Sequence, residues 1–139
     1  MALATGEPSS VVIGSDQLAV GPLGIAGKPG TPDNAIAQLQ AFSGQTVRFL
    51  TAVCVMCHES GFRHEETVVT EVLFRRLSEA EIRRYIELDS PLDCAGSFKS
   101  ESAGTSLLQS MTSNDPTAII GLPLITVSEG LRMAGYTVP

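Results

Sequence analysis

The sequence predicts a single α/β domain in which helices flank a mixed β-sheet. Strand-like and helix-like segments interleave along the chain. Two long runs of β-branched and aromatic residues alternate with period two. Within 139 residues, 13 glycines and 8 prolines punctuate the chain too often for a helical bundle. That length supports one domain, taken as 1–139, which buries roughly two-thirds of its unfolded surface on folding. With 43% hydrophobic residues against 17% charged, the chain is not a disordered tail.

The elements follow in order. Val11-Val12-Ile13 is a short β-branched strand that ends at Gly14-Ser15-Asp16-Gln17. A Gly/Pro-punctuated loop runs from Gly21 to Pro32. Thr31-Pro32-Asp33 reads as an N-cap, a proline at the first helical position and an acid facing the positive helix end. Ala35, Leu39 and Phe42 line one face of that helix, and Gly44 stops it. Strands at 46–58 and 63–75 join around Glu59-Ser60-Gly61. Val47, Phe49, Val53 and Val55 share one face of the first, and Leu50, Ala52 and Met56 the other, so it is expected in the interior of the sheet, covered on both sides. Ser78-Glu79-Ala80-Glu81 is a capping box, with Ile82, Tyr85 and Ile86 on the packed face of the helix behind it. A second hairpin is expected between 106–111 and 118–120, turning at Asn114-Asp115-Pro116. Pro123 and Gly135 bracket a last helix with Ile125, Leu131 and Met133 as core candidates.

Charge narrows the function. Nine Lys and Arg against fifteen Asp and Glu leave a net charge of −6, which repels phosphate backbones at long range and argues against nucleic-acid binding. A small anionic ligand is still compatible if a few cations gather in one cleft. No apolar run is long enough to span a bilayer, so no membrane partner is expected. Met-Ala-Leu-Ala-Thr-Gly-Glu-Pro lacks the basic start and apolar core of a signal peptide. Together with three cysteines, an odd number, this fits a cytoplasmic location.

Four constellations carry chemistry. Cys54-Val55-Met56-Cys57-His58 matches C-x-x-C-H, a pattern of haem attachment, redox and zinc sites. On a strand, however, residues three apart point to opposite faces, so these thiols diverge and read as buried cysteines. A zinc set of Cys54, Cys57, His58 and His64 would need a tight loop where the alternation says strand. Gly14-Ser15-Asp16-Gln17 follows a buried strand, and ligand crevices of open α/β sheets lie beyond strand carboxyl ends. Asp16 there acts as a general base toward water, holds a divalent cation, or simply closes the turn through an Asx hydrogen bond.

Lys28 and Lys99 are the chain's two lysines, and both sit in small-residue loops. In Gly27-Lys28-Pro29-Gly30 a compact ammonium suits a phosphate as a point-charge partner, the alternative being a solvated turn lysine. In Cys94-Ala95-Gly96-Ser97-Phe98-Lys99-Ser100-Glu101, Gly96 permits close backbone approach. Ser97, Lys99 and Ser100 there can donate to an anion, whereas Glu101 would have to face another part of the ligand. Arg75/Arg76 and Arg83/Arg84 read as a solvated helix face, with a role in oligomer contacts as the alternative.

Taken as an ordered set, these loops resemble the Maf-type nucleoside triphosphate pyrophosphatases. The matching segments are Val12-Ile13-Gly14-Ser15-Asp16-Gln17, Gly27-Lys28-Pro29, Leu77-Ser78-Glu79-Ala80-Glu81-Ile82 and Gly121-Leu122-Pro123-Leu124. The loop from Cys94 to Glu101 resembles the 7-methyl-GTP pyrophosphatase subgroup. The resemblance implies hydrolysis of a nucleoside triphosphate between its α- and β-phosphates, with a divalent cation such as Mg or Mn. It implies Asp16 as general base and possible metal ligand, Lys28 as a phosphate contact, and Gln17 and Glu101 as specificity positions, with Lys99 beside Glu101 in the same loop. N7-methylation makes guanine cationic, so a carboxylate at Glu101 would favour it over neutral pyrimidines. Phe98 is the stacking candidate for such a base, the alternative being a core residue. The resemblance also suggests a homodimer.

Family members open with a strand, a Ser/Thr-rich segment, a phosphate-holding arginine and a helix. Met1-Ala2-Leu3-Ala4 resembles only the tail of that helix, so the expectation is a member lacking this N-terminal segment. The alternative function is a non-catalytic nucleotide-binding or dimerisation module.

Overall fold

Five strands form one sheet in the order β2-β1-β3-β4-β5. Their ranges are Val12–Gly21 (β1), Gly24–Ala26 (β2), Thr46–Cys57 (β3), Phe62–Phe74 (β4) and Leu108–Ser113 (β5). The structure is a computed structural model and describes residues 10–139. The expected helix tail at Met1-Ala2-Leu3-Ala4 lies outside the described residues.

The expected α/β domain with flanking helices is found, but every pairing among the described strands is antiparallel, so this sheet is not mixed. Short connections explain the β1–β2 and β3–β4 pairs, because a tight turn can only join antiparallel neighbours. β2 itself lies inside the stretch expected as loop, where its three residues pair with the end of β1.

β3 is central, yet only one of its faces is covered. Val47, Phe49, Thr51, Val53, Val55 and Cys57 are buried, while Arg48, Ala52 and Met56 are exposed. The expectation of cover on both faces fails because all three helices pack on one side of the sheet. Helix α1 (Pro32–Phe42) follows its sequence signals closely: the Thr31 hydroxyl accepts from Asn34 N–H at 3.2 Å, and Ala35, Leu39 and Phe42 are buried. Helix α2 (Glu79–Asp89) begins with the expected capping box, Ser78 N–H donating to Glu81 at 3.0 Å and Glu81 N–H to Ser78 Oγ at 3.2 Å. Ser78 N–H, then the Arg75 guanidinium, holds the Glu81 carboxyl down at about 2. Arg75 is therefore not part of a solvated helix face: it pairs with Glu81 at 2.7 Å and donates to Ser106 O at 2.8 Å, tying the end of β4 to α2 and the following loop.

The core lies between α1, α2 and the sheet. Phe42, Phe49, Phe74 and Phe98 form a chain of ring contacts with centroids 5.4–5.6 Å apart.

The C-terminal third departs most from expectation. The strand expected at 106–111 is found as β5 at Leu108–Ser113, with 106 and 107 in a 3-10 turn, but β5 pairs with β4, and Ala118–Ile120 is a 3-10 turn rather than a strand. Pro116 lacks a ladder donor, and the Asp115 carboxylate captures Thr117 N–H at 2.8 Å, closing the chain into a turn. Helix α3 (Leu124–Met133) buries Thr126, Val127 and Gly130, whereas Ile125 and Met133 are exposed and Leu131 is half-buried. The face is decided by Gly130, where an added Cβ would come within 2.9 Å of Val55, so the bare backbone sets the approach of helix to sheet. Among the described residues, no helix is long and apolar enough to cross a membrane.

Candidate active site

Asp16 and Gln17 sit in the middle of β1, not beyond its end as expected. Nothing in Gly14-Ser15-Asp16-Gln17 breaks an extended backbone, and the segment pairs residue for residue with 51–54 of β3. Alternation then separates the two side chains. Asp16 shares the open face with Ala52 and Thr67, and Gln17 shares the helix-covered face with Thr51.

The Asp16 carboxylate is exposed, with Oδ1 accepting from Gln17 N–H at 2.9 Å. It borders an open hollow of about 570 Å³ lined in part by Cys54, Arg63, Glu65 and Thr67. Arg63 and Glu65 form an ion pair there. A volume of this size is ample for a small ligand. Arg63 and Thr67 went unnoticed as candidates in the sequence, although the signal was present. The turn at Glu59-Ser60-Gly61 sets the β3–β4 register, and that register brings Thr67 opposite Ala52, which is itself opposite Asp16.

Gln17 is committed to holding the fold. Its Nε2 donates to Thr51 Oγ1 at 2.9 Å and lies 3.1 Å from the carbonyl oxygens of both Ala118 and Ile119. Thr51 Oγ1 donates to Ala118 O at 3.0 Å, so the 3-10 turn is clamped to β1 and β3 together.

The two lysine loops do meet. Gly30 N–H donates to Leu92 O at 2.9 Å, and Gly96 N–H donates to Gly27 O at 3.3 Å. Gln38 of α1 bridges them, donating to Gly27 O at 3.0 Å and accepting from Ser97 Oγ at 2.6 Å. Lys28 is exposed on this joint, Lys99 is half-buried with its N–H on Tyr85 Oη at 2.8 Å, and Glu101 is exposed. Burial pushes the Tyr85 phenol above its ordinary range, keeping it a hydroxyl. Burial likewise pushes up the Cys94 thiol, on which Lys99 and Glu101 act with opposite sign. None of Lys28, Lys99 and Glu101 lines the hollow at Asp16.

Two expectations for this loop are corrected. Phe98 is 6% exposed and packed between Phe49 and Phe74, so it is core and not a stacking surface. Ser97 is fully buried with its hydroxyl on Gln38, so it is not free for an anion. Gly104, unremarked in the sequence, holds the loop's far end: its N–H donates to Lys99 O at 3.0 Å, and an added Cβ would collide with that carbonyl.

Cys54 is half-buried and Cys57 buried, three residues apart on one strand, so the thiols diverge as the alternation requires. Among the described residues, the group close enough to hold an ion is His64, Glu66 and Glu129, which contains neither cysteine nor Asp16.

A five-stranded antiparallel sheet with helices on one face, and an exposed carboxylate bordering a hollow on the other, defines an α/β fold whose open sheet face carries the candidate site. The family is given by comparison: the sequence profile of the Maf family, described as "Maf-like protein", matches residues 1–134, and the chain belongs to that family. It is 51% identical over 138 residues to a protein of Aromatoleum aromaticum named 7-methyl-GTP pyrophosphatase, covering 99% of this chain and 71% of that one. Proteins with the same name from Polaromonas sp. and Albidiferax ferrireducens are 48% and 47% identical, over 96% and 99% of this chain. The chain spans 61–71% of the length of these three relatives.

Proposed function

We infer that this chain hydrolyses a nucleoside triphosphate, 7-methyl-GTP or a closely related modified nucleotide, to the monophosphate and pyrophosphate. What carries the reading is identity of 47–51% to relatives of that name along nearly the whole chain. Asp16 supplies the chemistry. Asp16 borders the hollow with Oδ1 accepting from Gln17 N–H, and its carboxylate takes a proton from water as the water oxygen attacks the α-phosphorus and pyrophosphate leaves.

A divalent cation, Mg or Mn, fits the donor set at the hollow. Glu65 is engaged by Arg63, Asp16 is free of ion pairs among the described residues, and hard cations of this kind bind through one or two carboxylates plus substrate phosphates. Such an ion would be held by Asp16 and would neutralise charge developing on the phosphates. Lys28, Lys99 and Glu101 lie outside the hollow on the joined loops, so their roles, Lys28 toward phosphate and Glu101 with Lys99 toward the cationic methylated base, require a substrate that extends beyond it. Gln17 acts as a positioning residue: anchored on Thr51 and the 3-10 turn, it holds the strand from which Asp16 projects. The setting that goes with this chemistry is the cytoplasm, and the assembly a homodimer.

Pyrophosphate release from 7-methyl-GTP, GTP, dTTP and UTP tests the reading. The methylated nucleotide should turn over fastest, and Asp16→Asn should lower kcat by at least ~100-fold. Equal rates on all four would sink the base preference. Full activity in Asp16→Asn would sink the mechanism. Calorimetric nucleotide binding without pyrophosphate release would replace the enzyme by a binding module.

A further inference from the structure

We propose that His64, Glu66 and Glu129 form a divalent transition-metal site, suited to Zn²⁺, that fastens the last helix to the sheet. Asp16 is not part of the group, although Glu66 also borders the Asp16 hollow. His64 and Glu66 are two apart on β4 and pair with the buried residues Val55 and Val53, so both project to the helix-covered face, opposite Asp16. Glu129 comes from α3. One ligand atom of each residue lies within 4.8 Å of the other two.

A second observation points to a missing ligand. Nε2 of His64 is wholly buried and has no hydrogen-bond partner. The ring carbon beside it, Cδ2, is 3.3 Å from the position a Cβ would take at Gly130, so the unpaired edge of the imidazole faces α3, one residue from Glu129. A buried ring nitrogen needs either a donor or an acceptor, and a cation accepts its lone pair directly.

Charge and chemistry agree. Among the described residues neither Glu66 nor Glu129 forms an ion pair, and a neutral imidazole with two carboxylates carries a charge of about −2, which a divalent ion balances. One nitrogen and two oxygens suit Zn²⁺, whereas Mg²⁺ prefers oxygen alone. Ligands of a tetrahedral ion at about 2.0–2.1 Å lie roughly 3.4 Å apart, a closure the exposed carboxylates can make by rotating. Thr126, 4% exposed on α3, already donates to Glu66 Oε2 at 2.8 Å, leaving Oε1 for the ion and orienting the carboxylate from behind. Glu66 and Glu129 also border an adjoining cavity of about 290 Å³, together with Asp115 and Thr126.

The test uses the full chain, stripped of metal and kept reduced, titrated calorimetrically with Zn²⁺ and separately with Mg²⁺. One Zn²⁺ per chain is expected, with a rise in Tm, and no such rise with Mg²⁺. Co²⁺ in place of Zn²⁺ should give the visible d–d bands of a four-coordinate ion without sulfur-to-metal charge transfer. Glu129→Gln, on an exposed helix surface, should keep the wild-type circular dichroism and lower affinity at least ~100-fold, and Thr126→Val about 10-fold. Absence of Zn²⁺ binding by the wild type would overturn the site, as would unchanged affinity in Glu129→Gln. A thiolate charge-transfer band would overturn it too, assigning the ion to cysteine.

Discussion

Replacing Asp115 with asparagine should lower stability by about 2 kcal/mol, although the two side chains have the same shape. Asp115 is 3% exposed and accepts three hydrogen bonds, from Thr117 N–H at 2.8 Å, from the Thr117 hydroxyl, and from Ile125 N–H at 2.9 Å. The last matters most, because the residue at the start of α3 is Pro123, which offers no side-chain cap. Thr117 Oγ1, accepting from Leu124 N–H at 2.8 Å, and Asp115 cap that helix from outside it. An asparagine whose oxygen stays with Thr117 must turn its NH₂ toward Ile125 N–H, donor against donor. Losing one charge-assisted bond and stranding a buried N–H costs about 2–3 kcal/mol, partly offset by no longer burying a charge. At about 3 °C per kcal/mol for a domain of this size, Tm should fall by roughly 6 °C.

Thermal and urea unfolding followed by circular dichroism would measure the change. Acid should narrow it. Burial alone would push the Asp115 carboxyl up, but the Thr117 and Ile125 hydrogen bonds outweigh it and hold the group below its ordinary value of 3.8. A carboxyl with a lowered folded value adds stability that is complete above the ordinary value and lost as pH falls through the folded one. The gap between wild type and variant should therefore be widest near neutral pH and shrink below about pH 4. Equal stability of the two proteins at neutral pH, within about 0.5 kcal/mol, would refute the capping argument. So would a gap that widens in acid.

Other expectations rest on separate contacts. Glu81→Gln should destabilise the protein at neutral pH, and the difference should close as pH falls from the ordinary 4.5 toward the folded value of about 2, as read by acid unfolding of both proteins. Gly104→Ala should destabilise by about 3 kcal/mol or more in urea melts, because the obstructing atom is the Lys99 backbone carbonyl, which cannot rotate away. Gln17→Leu removes the amide that Thr51 Oγ1 and Ile119 O accept from, while Ala118 O keeps the Thr51 hydroxyl. It should cost about 2–3 kcal/mol and lower kcat with less effect on KM, since Asp16 moves while the lysine loops do not.

Much of the fold is written in short-range signals. Thr31-Pro32-Asp33 and Ser78–Glu81 place helix starts because the capping partners lie within three residues of each other. The alternation of Val47, Phe49, Val53 and Val55 selects the buried face of β3 because side chains on a strand repeat every two residues. The same alternation correctly sends Cys54 and Cys57 apart. Asn114-Asp115-Pro116 is legible as a turn, but the partner of Asp115 at Ile125 is ten residues on, and no local pattern announces it. The face of α3 is equally hidden: Ile125 and Met133 are apolar enough for a core, yet Gly130 makes contact because the approach of Val55 leaves no room for a side chain.

The candidate site divides in the same way. By itself the sequence determines that Asp16, Gln17, Lys28, Lys99 and Glu101 exist in loops and strands of a recognisable order, since family motifs and turn chemistry are properties of neighbouring residues. Only the tertiary structure decides which of them meet. It joins the Lys28 and Lys99 loops through Gln38, turns Asp16 and Gln17 to opposite faces, and buries Phe98 among the other rings. It also gathers His64, Glu66 and Glu129, which are up to 65 residues apart, around one point. Those meetings depend on which side of the sheet the helices cover, and that choice comes from the sum of many buried contacts across the chain, not from any segment's own preference.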